Sequence, residues 1–221
     1  MSSETLFVEN FFATPIFYGA IPDDKFHNQL VALANKCDEA GWFEQTWDDN
    51  EWEGEFSKKQ SERDNDTTPS TVYFQPNKNI LGDNEYVANI IYRHAHGYLD
   101  QIGTPKRNLN IHSSWLHKAG NRDTVGWHHH GYKVNRISGV YYIRATGVIN
   151  GGRTLFKSSN PYNCDYLSRS NRSFKPGVDF LPVERNMIMW PSSLEHRTTP
   201  NYTDMSRVVI SFNIDVEYED G

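Results

Sequence analysis

The second half of this chain is a series of short strand-like segments, and this series constrains the fold more than any other feature. The segments are rich in β-branched and aromatic residues and are separated by Gly, Pro, Asn, Asp and Ser. Many short strands with frequent turns are typical of a sandwich or barrel, and eight of them fit a double-stranded β-helix, or jelly roll. The eight predicted strands are residues 110–117, 125–131, 137–145, 153–157, 178–182, 186–190, 196–199 and 206–216.

Two amphipathic helices are predicted before this series. The first begins at Asp23 and Asp24, and its apolar residues recur at helical spacing until Gly41. The second begins near Asn84 and ends before Gly103. Because each helix has one apolar face, we expect both helices to pack on the major sheet of the jelly roll.

A length of 221 residues is sufficient for one sizeable core, and we expect a single domain over residues 1–221. The predicted fold class is therefore mainly β with flanking helices. Residues 1–107 would supply the two helices, an acidic loop and short strands at 5–8 and 14–18, which could pair at a sheet edge. Residues 108–216 would form the jelly-roll core.

The overall composition disfavours some classes of function. A formal net charge of −6 gives no clear signal for nucleic-acid binding, and no apolar stretch is long enough to span a membrane. The two cysteines, Cys37 and Cys164, lie far apart, and the first residues lack the basic and apolar regions of a signal peptide. These observations favour a soluble, cytoplasmic protein with both thiols free.

Three histidines are spaced in a way that favours a metal site. Alternate side chains of an extended strand point to the same side, so His128 and His130 can present two imidazoles together while His129 points away. His196 follows the apolar run at residues 187–190 and could fold back onto this pair. Three protein ligands on one side of a divalent iron leave positions for a cosubstrate and oxygen, which a closed four-ligand structural site does not.

An arginine and a tyrosine extend this pattern. Arg207 begins the last strand-like run and lies eleven residues after His196. Its planar, permanently charged guanidinium is suited to binding a distal carboxylate, so a dicarboxylate cosubstrate fits. In the predicted strand at 137–145, Tyr141 and Tyr142 point to opposite faces, and we predict Tyr142 as a second donor to that carboxylate.

Five short blocks occur in an order that resembles the 2-oxoglutarate and Fe(II) dependent oxygenase superfamily. The resemblance covers roughly residues 108–215, about half of the chain, and is closest to small bacterial and phage-type members with a prolyl-hydroxylase-like core. Its strength lies in the order and spacing of the blocks, since each block alone is weak. The blocks are residues 128–130, 138–143, 151–156, 190–196 and 207–213.

This resemblance implies a function and a set of site residues. His128, His130 and His196 correspond to the ligands of Fe(II). Arg207 corresponds to the partner of the distal carboxylate of the cosubstrate, 2-oxoglutarate, and Tyr142 to its helper. The implied reaction uses O2 and hydroxylates an unknown substrate, a small molecule or a peptide side chain, with release of succinate and CO2. No catalytic residue beyond the metal shell is implied.

One ligand departs from the pattern of the superfamily. Most members have Asp as the second ligand, whereas His130 stands there, as in the small His-x-His subfamily that the chain resembles. A neutral ligand in place of an anionic one leaves the site about one charge unit more positive and could change the preferred metal. Three histidines also hold zinc, and a shift of one residue would make His129 the ligand. His112 or His117, on a predicted strand beside the site, could enter the outer shell of the pocket.

Three other functions fit parts of the same pattern. A three-histidine cupin-type dioxygenase would need no oxo-acid, and Arg207 would then lose its role. A β-sandwich binding module would bind no metal, and its histidines would be incidental. A zinc hydrolase is disfavoured because the sequence shows no convincing base near the ligands and leaves the arginine unexplained.

Two loops complete the sequence predictions. Residues 44–66 hold nine acidic and three basic side chains and are predicted as a surface loop, or alternatively as a substrate-covering lid that would favour a cationic substrate. Residues 158–177 are predicted as a loop near the mouth of the barrel. The resemblance also assigns Gly151 and Gly152 to a tight turn before a core strand. The residues of the second loop that could meet a substrate are Tyr162, Tyr166, Arg169 and Arg172.

Overall fold

Two helices and ten strands make up the described part of the chain. The computed structural model describes residues 14–40, 43–45, 72–74, 79–104, 107–131, 136–158 and 177–218. The elements are β1 (Phe17–Ala20), α1 (Asp24–Ala40), β2 (Phe43–Gln45), β3 (Val72–Phe74), α2 (Glu85–Gln101), β4 (Arg107–Ala119), β5 (Arg136–Arg144), β6 (Thr154–Lys157), β7 (Gly177–Phe180), β8 (Asn186–Pro191), β9 (His196–Thr198) and β10 (Arg207–Tyr218).

Both predicted helices are confirmed, and side chains cap their first turns. Asp23 precedes α1, and its carboxylate accepts a hydrogen bond from the backbone N–H of Phe26 at 2.9 Å. Asn84 caps α2 in the same way and accepts from the backbone N–H of Val87 at 3.1 Å. These bonds satisfy N–H groups that the start of a helix leaves without a partner. Just after α2, Gly103 has a φ of +72°, a left-handed conformation that ends the helix.

The strands form two sheets, and the predicted jelly roll is confirmed. The larger sheet has the strand order β1-β8-β5-β10-β4-β3-β2, and the smaller sheet has the order β7-β6-β9. All strand pairs are antiparallel, and β4 and β10 pair along almost their whole length with a bulge after Asn213. The arrangement is a double-stranded β-helix with both helices packed on its larger sheet.

Alternation along the strands of the larger sheet creates two separate cores. On β5, Ile137, Tyr141 and Ile143 point toward the helices, whereas Val140 and Tyr142 point between the two sheets. Successive side chains of a strand point to opposite faces, so one strand contributes to both cores. The helix-side core attaches α1 and α2 to the sheet, and the other core fills the space in which the site residues lie.

One predicted strand, at residues 125–131, is wrong. An irregular segment lies there, joined to β9 by an isolated bridge between His128 and His196. Gly131 has a φ of +98°, so the backbone turns instead of continuing an extended ladder. The segment nevertheless runs beside β9, where a further strand of the smaller sheet would lie.

The N-terminal half differs from the prediction in other ways. The strand predicted at 14–18 begins later, at β1, and pairs with β8 at one edge of the larger sheet. At the other edge lie β2 and β3, which the sequence did not predict. Neither described helix has the length and apolar character needed to cross a membrane. The predicted strand at 5–8, most of the acidic loop 44–66, most of the loop 158–177 with its four named side chains, and Cys164 lie outside the described residues.

Candidate metal centre

Three imidazoles, those of His128, His130 and His196, converge on one point. A ligand nitrogen of each ring lies within 4.8 Å of those of the other two. The ring centroids are 5.1 Å apart for His128 and His130, 4.2 Å for His128 and His196, and 5.1 Å for His130 and His196. Within the described ranges, no other group of side chains is arranged in this way, and no carboxylate joins the three rings.

The backbone holds two of these histidines side by side. The N–H of His128 donates to the carbonyl oxygen of His196 at 3.0 Å, and the N–H of His196 donates back to the carbonyl oxygen of His128 at 2.9 Å. This bridge brings together residues that are far apart in the sequence. His130 is held separately, because its N–H donates to the carbonyl oxygen of Ser192 at 2.9 Å.

In the rings of His128 and His196, hydrogen bonds determine which of the two nitrogen atoms is available to a metal. Nδ1 of His128 lies 2.9 Å from the carbonyl oxygen of Gly126, and Nδ1 of His196 lies 2.9 Å from that of Leu194. A carbonyl oxygen can only accept, so Nδ1 holds the proton in both rings and Nε2 keeps its lone pair. A metal ion binds such a lone pair, and the carbonyl groups hold the rings in a fixed orientation.

His129 does not belong to the cluster. Its Nδ1 accepts a hydrogen bond from the backbone N–H of Gly131 at 3.0 Å and so stabilises the turn that follows. The third imidazole of the cluster is that of His130. The structure therefore brings His130, and not His129, together with His128 and His196.

Loss of hydration keeps the three imidazoles of the cluster neutral, with His196 buried and His128 and His130 half-buried. Loss of hydration lowers the pKa of His128, lowers the pKa of His130 to about 3 and holds the pKa of His196 well below its usual range. The neighbouring imidazoles lower the pKa of His130 and His196 further. Because a metal binds only the neutral form of histidine, the cluster can accept a cation at neutral pH. Three neutral nitrogen donors fit Fe(II), and they also fit Zn(II).

Arg207 lies at the start of β10 with its guanidinium inside the protein. The residue is 3% exposed, and its Nη1 donates to the carbonyl oxygen of Gly152. Among the described residues, no carboxylate oxygen lies within 4.0 Å of this guanidinium, and its Nε has no hydrogen-bond partner. A buried cation without a carboxylate is costly unless an anion joins it, so this position fits a carboxylate ligand.

Gly152 permits the close approach of this guanidinium. Its φ is +82°, and a Cβ at this position would lie 3.1 Å from Nη1 of Arg207. Glycine is the residue that adopts such a φ without steric cost and leaves this space free. At the preceding residue, Gly151, a Cβ would lie 2.3 Å from the hydroxyl oxygen of Thr146, so both glycines allow a tight turn before β6.

Tyr142 lies on β5, next to β10, with its side chain between the two sheets. Its partner across the strands is Val209, two residues from Arg207. The phenol oxygen is 2.7 Å from the hydroxyl oxygen of Thr154, a pocket residue that the sequence did not indicate. Burial raises the pKa of Tyr142, although the charge of Arg207 opposes this effect. The phenol therefore keeps its proton and can donate it to an acceptor.

The two further histidines named from the sequence have different environments. His117 is buried on β4 and lies opposite Val209 of β10. Burial, together with the positive charge of Arg207, holds the pKa of His117 well below its usual range. The side chain of His112 is 53% exposed and lies 3.6 Å from the carboxylate of Asp215. His117 is thus part of the barrel interior, whereas His112 is part of the surface.

Aromatic rings that the sequence did not assign surround the histidine cluster. The ring centroid of His196 lies 4.7 Å from that of Trp190 and 5.9 Å from that of Phe156. The ring centroid of His130 lies 5.8 Å from that of Trp115. Trp190 and Phe156 belong to the core between the sheets, so alternation along β8 and β6 was the signal that could have identified them.

Comparison with known proteins agrees with this fold. Residues 113–213 match the family of 2OG-Fe(II) oxygenases. This range extends from within β4 to within β10 and contains the histidine cluster, Tyr142 and Arg207. The resemblance to the 2-oxoglutarate and Fe(II) dependent oxygenase superfamily that was recognised from the sequence is therefore confirmed over these residues. No curated protein matches the sequence.

Solved structures with the same fold include enzymes that catalyse different reactions. SnoN, an alpha ketoglutarate dependent epimerase from nogalamycin biosynthesis, has a TM-score of 0.62 at 11% identity, covering 92% of this chain and 77% of its own. HygX from Streptomyces hygroscopicus, with nickel, 2-oxoglutarate and hygromycin B bound, has a TM-score of 0.58 at 9% identity, covering 93% of this chain and 84% of its own. A prolyl-4-hydroxylase from Pseudomonas putida has a TM-score of 0.52 at 11% identity over 94% of each chain. At these identities the likeness shows the fold alone.

Proposed function

We propose that this protein is a dioxygenase that uses Fe(II), 2-oxoglutarate and O2 to hydroxylate a small molecule or a peptide side chain. One observation supports this most strongly: the same double sheet encloses three neutral imidazoles and a buried guanidinium that has no carboxylate oxygen of the described residues within 4.0 Å. When bound, the iron together with 2-oxoglutarate and oxygen supplies the oxidising chemistry, and the cosubstrate leaves as succinate and CO2.

The residues of this chain would bind and orient the reactants. His128, His130 and His196 would hold the metal through neutral nitrogen atoms, two of which are oriented by backbone carbonyl groups. No described acidic side chain joins the cluster, so the protein would supply position and electrostatics but no acid or base. We therefore assign no catalytic residue beyond the metal shell.

Arg207 would hold the distal carboxylate of 2-oxoglutarate. Its Nε–H has no partner in the described chain, and burial strengthens any hydrogen bond that it makes with an anion. The phenol of Tyr142 would be the second donor, since it lies on the neighbouring strand and faces the same core. The dianionic cosubstrate would also offset the additional positive charge of a site that has histidine in place of aspartate.

A succinate-release assay with Fe(II) tests this proposal. The wild type is expected to release succinate slowly even without its primary substrate, and His128→Ala is expected to abolish this release. Arg207→Ala is expected to raise the KM for 2-oxoglutarate by about 10- to 100-fold, because hydrogen bonds to charged groups contribute about 1.5–3 kcal/mol. The matched control is Arg144→Ala, which removes an arginine paired with Asp38 on the helix side of the sheet. Equal release by all four proteins would contradict the proposal.

A second candidate function is a three-histidine dioxygenase that does not use 2-oxoglutarate. The donor set of three neutral nitrogens without a carboxylate favours it. The two candidates differ in the role of Arg207, which only the first requires. Consumption of oxygen in the presence of Fe(II) without consumption of 2-oxoglutarate would favour the second candidate. Failure to bind any divalent metal would favour a non-enzymatic binding module.

A further inference from the structure

We propose that a buried chain of hydrogen bonds through Ser138, Asn213 and Ser192 positions His130 within the metal centre. The inference rests on the proposed function, because it takes His130 as a metal ligand. The three polar residues lie in the interior of the protein, yet none of them belongs to the histidine cluster or to the pair formed by Arg207 and Tyr142.

The chain of hydrogen bonds crosses neighbouring strands of the larger sheet. Asn213 of β10 lies between Ser138 of β5 and Ser113 of β4 in the strand register. Ser138 Oγ is 2.7 Å from Asn213 Oδ1 and 2.7 Å from Ser192 Oγ, and Asn213 Nδ2 donates to Ser113 Oγ at 3.0 Å. Ser138 and Ser192 are each 1% exposed, so the hydrogen bonds of Ser138 to Ser192 and to Asn213 are shielded from water.

With the amide of Asn213 oriented as in the structure, the hydrogen bonds of this network run in a single direction. Oδ1 of Asn213 can only accept, so the hydroxyl of Ser138 donates to it. A hydroxyl has one proton, and therefore Ser138 must accept the hydrogen bond that it shares with Ser192. The donors thus run in one order, from Ser192 through Ser138 to Asn213 and then to Ser113. Each of these bonds has one donor and one acceptor, and a buried polar network that is satisfied in this way holds its members in place.

Ser192 connects this network to the metal centre. Its carbonyl oxygen accepts from the N–H of His130 at 2.9 Å, and its own N–H donates to the carbonyl oxygen of Arg136 at 3.0 Å. Ser192 is thus held at three points: by its hydroxyl, by its N–H and by its carbonyl group. Displacement of Ser192 would displace the backbone of His130 with it.

His130 depends on this support more than the other two histidines do. Nδ1 of His128 and Nδ1 of His196 each lie at hydrogen-bond distance from a backbone carbonyl oxygen, and these two residues also bridge each other. For His130, by contrast, the hydrogen bond from its backbone N–H to the carbonyl oxygen of Ser192 is the link to the sheet, and its ring lies beside that of Trp115. A nitrogen ligand must lie about 2 Å from the metal, so a small displacement of His130 weakens metal binding.

Metal binding by the apo protein tests this inference. Ser138→Ala removes both the acceptor for the hydroxyl of Ser192 and the donor to Asn213. We expect the Kd for Co(II) to rise by about 10- to 100-fold, the range typical of residues that support a metal ligand. We also expect the visible absorption spectrum of bound Co(II) to change, because this spectrum reports ligand geometry. Ser192→Ala is expected to act in the same direction, and the double variant to differ little from either single variant, because both substitutions break the same path.

Ser114→Ala is the matched control. Ser114 is adjacent to Ser113 on β4, but it is fully buried on the opposite face, beside Leu81. Its hydroxyl accepts from the N–H of Leu81 at 3.0 Å and donates to Asn79 Oδ1 at 3.1 Å, so the control also removes a buried serine hydroxyl with two hydrogen bonds. A similar loss of stability is expected, without a change in the Kd or spectrum of Co(II).

The outcomes separate this inference from the proposed function. Weaker Co(II) binding by Ser138→Ala and Ser192→Ala, with unchanged binding by Ser114→Ala, supports the inference. Co(II) binding that is equal in all variants overturns it and leaves the proposed function intact, and equal weakening by the Ser114 control also overturns it. Absence of Co(II) binding by the wild type would refute the proposed function and this inference together. If Ser138→Ala does not fold, Ser192→Ala decides, because it keeps the backbone bonds of residue 192.

Discussion

At the scale of single residues, burial assigns opposite electrostatic roles to the histidines and to Arg207. The three imidazoles lose hydration and stay neutral, so their nitrogen lone pairs are available to a cation. The guanidinium is also buried, and although burial lowers its pKa, an arginine keeps its charge in a protein. The same interior therefore offers neutral donors for a metal and a positive charge for an anion.

His129→Ala and His130→Ala are expected to differ sharply in metal affinity. His130 belongs to the cluster, whereas Nδ1 of His129 accepts a hydrogen bond from the backbone N–H of Gly131 in the turn. Loss of His130 is expected to raise the Kd for Co(II) by more than about 100-fold, beyond the effect of losing an outer contact. His129→Ala is expected to bind Co(II) like the wild type. Titration of the apo proteins measures both values, and the reverse order would show that the ligand register is shifted by one residue.

The stability of the apo protein is expected to fall as the pH falls below about 6.5. The pKa of His130 is about 3 and that of His196 is also lowered, whereas a histidine of the unfolded chain titrates near 6.5. Between these values the unfolded chain binds more protons, so the free energy of unfolding decreases with decreasing pH. Each such histidine contributes up to about 1.4 kcal/mol per pH unit.

Urea unfolding at about pH 7.5 and about pH 5.5 measures this dependence. His130→Asn is expected to reduce the difference in the free energy of unfolding between the two pH values. His96→Asn is the control, because this histidine of α2 is exposed and lies outside the cluster. The difference is expected to remain that of the wild type. If His130→Asn does not reduce this difference, the imidazole of His130 does not have a lowered pKa in the folded protein.

At the scale of elements, β5 and β10 organise both the core and the site. One face of β5 packs Tyr141 against α1, where its ring contacts Phe26 and its hydroxyl lies 3.0 Å from Nδ1 of His27. The other face places Tyr142 in the space between the sheets. Because β10 lies between β5 and β4, it brings Arg207 next to residues of both strands. Tyr142 and Arg207 thus lie on extensively paired strands of the larger sheet, whereas His196 lies on β9 of the smaller sheet.

Gly139→Ala is expected to destabilise the protein by roughly 1–3 kcal/mol, the usual cost of overfilling a core. A Cβ at this position of β5 would lie 2.4 Å from the ring of Phe212 and 3.0 Å from Cγ of Met189, and both side chains are fully buried. Gly97→Ala in α2 provides the contrast, because nothing lies within 4 Å of its added Cβ. This substitution is expected to stabilise by up to about 1 kcal/mol through helix propensity. Urea unfolding measures both changes in the free energy of unfolding. If both variants changed it in the same direction, the packing described for β5 would be contradicted.

At the scale of the whole molecule, the fold holds together ligands that come from distant parts of the chain. The bridge between His128 and His196 joins the irregular segment to β9, and Phe156 and Trp190 of the core between the sheets pack against His196. The described elements of the N-terminal half contribute α1 and α2, which cover the opposite face of the larger sheet. That residues 1–221 form a single domain stays a prediction.

Metal and cosubstrate together are expected to raise the Tm of the apo protein. A ligand that binds only the folded state stabilises it by about 2.7 kcal/mol at a concentration of 100 times its Kd. For a chain of 221 residues this corresponds to an increase in Tm of about 5–10 °C. Thermal unfolding with Co(II) and 2-oxoglutarate measures the shift, and a chelator is expected to reverse it. A shift of the same size in His128→Ala would argue against a metal site at this histidine.

Local patterns in the sequence were sufficient to predict the helices, most of the strands and the three histidines that the structure brings together. Caps at Asp23 and Asn84 and apolar spacing depend on neighbouring residues only, so α1 and α2 were predictable. The alternation of side chains along a strand assigned Tyr141 and Tyr142 to opposite faces for the same reason. The order of the histidine, glycine and arginine blocks pointed to the oxygenase superfamily.

Other features depend on contacts between segments distant in the sequence, and only the tertiary structure decided them. Residues 125–131 are irregular because Gly131 turns the backbone and the bridge to His196 replaces a regular ladder. The proton positions on the site histidines follow from carbonyl groups placed by the fold, and the network from Ser192 to Ser113 exists because four segments meet there. A local pattern specifies the direction in which a side chain points, but which groups it meets depends on how the sheets close around it.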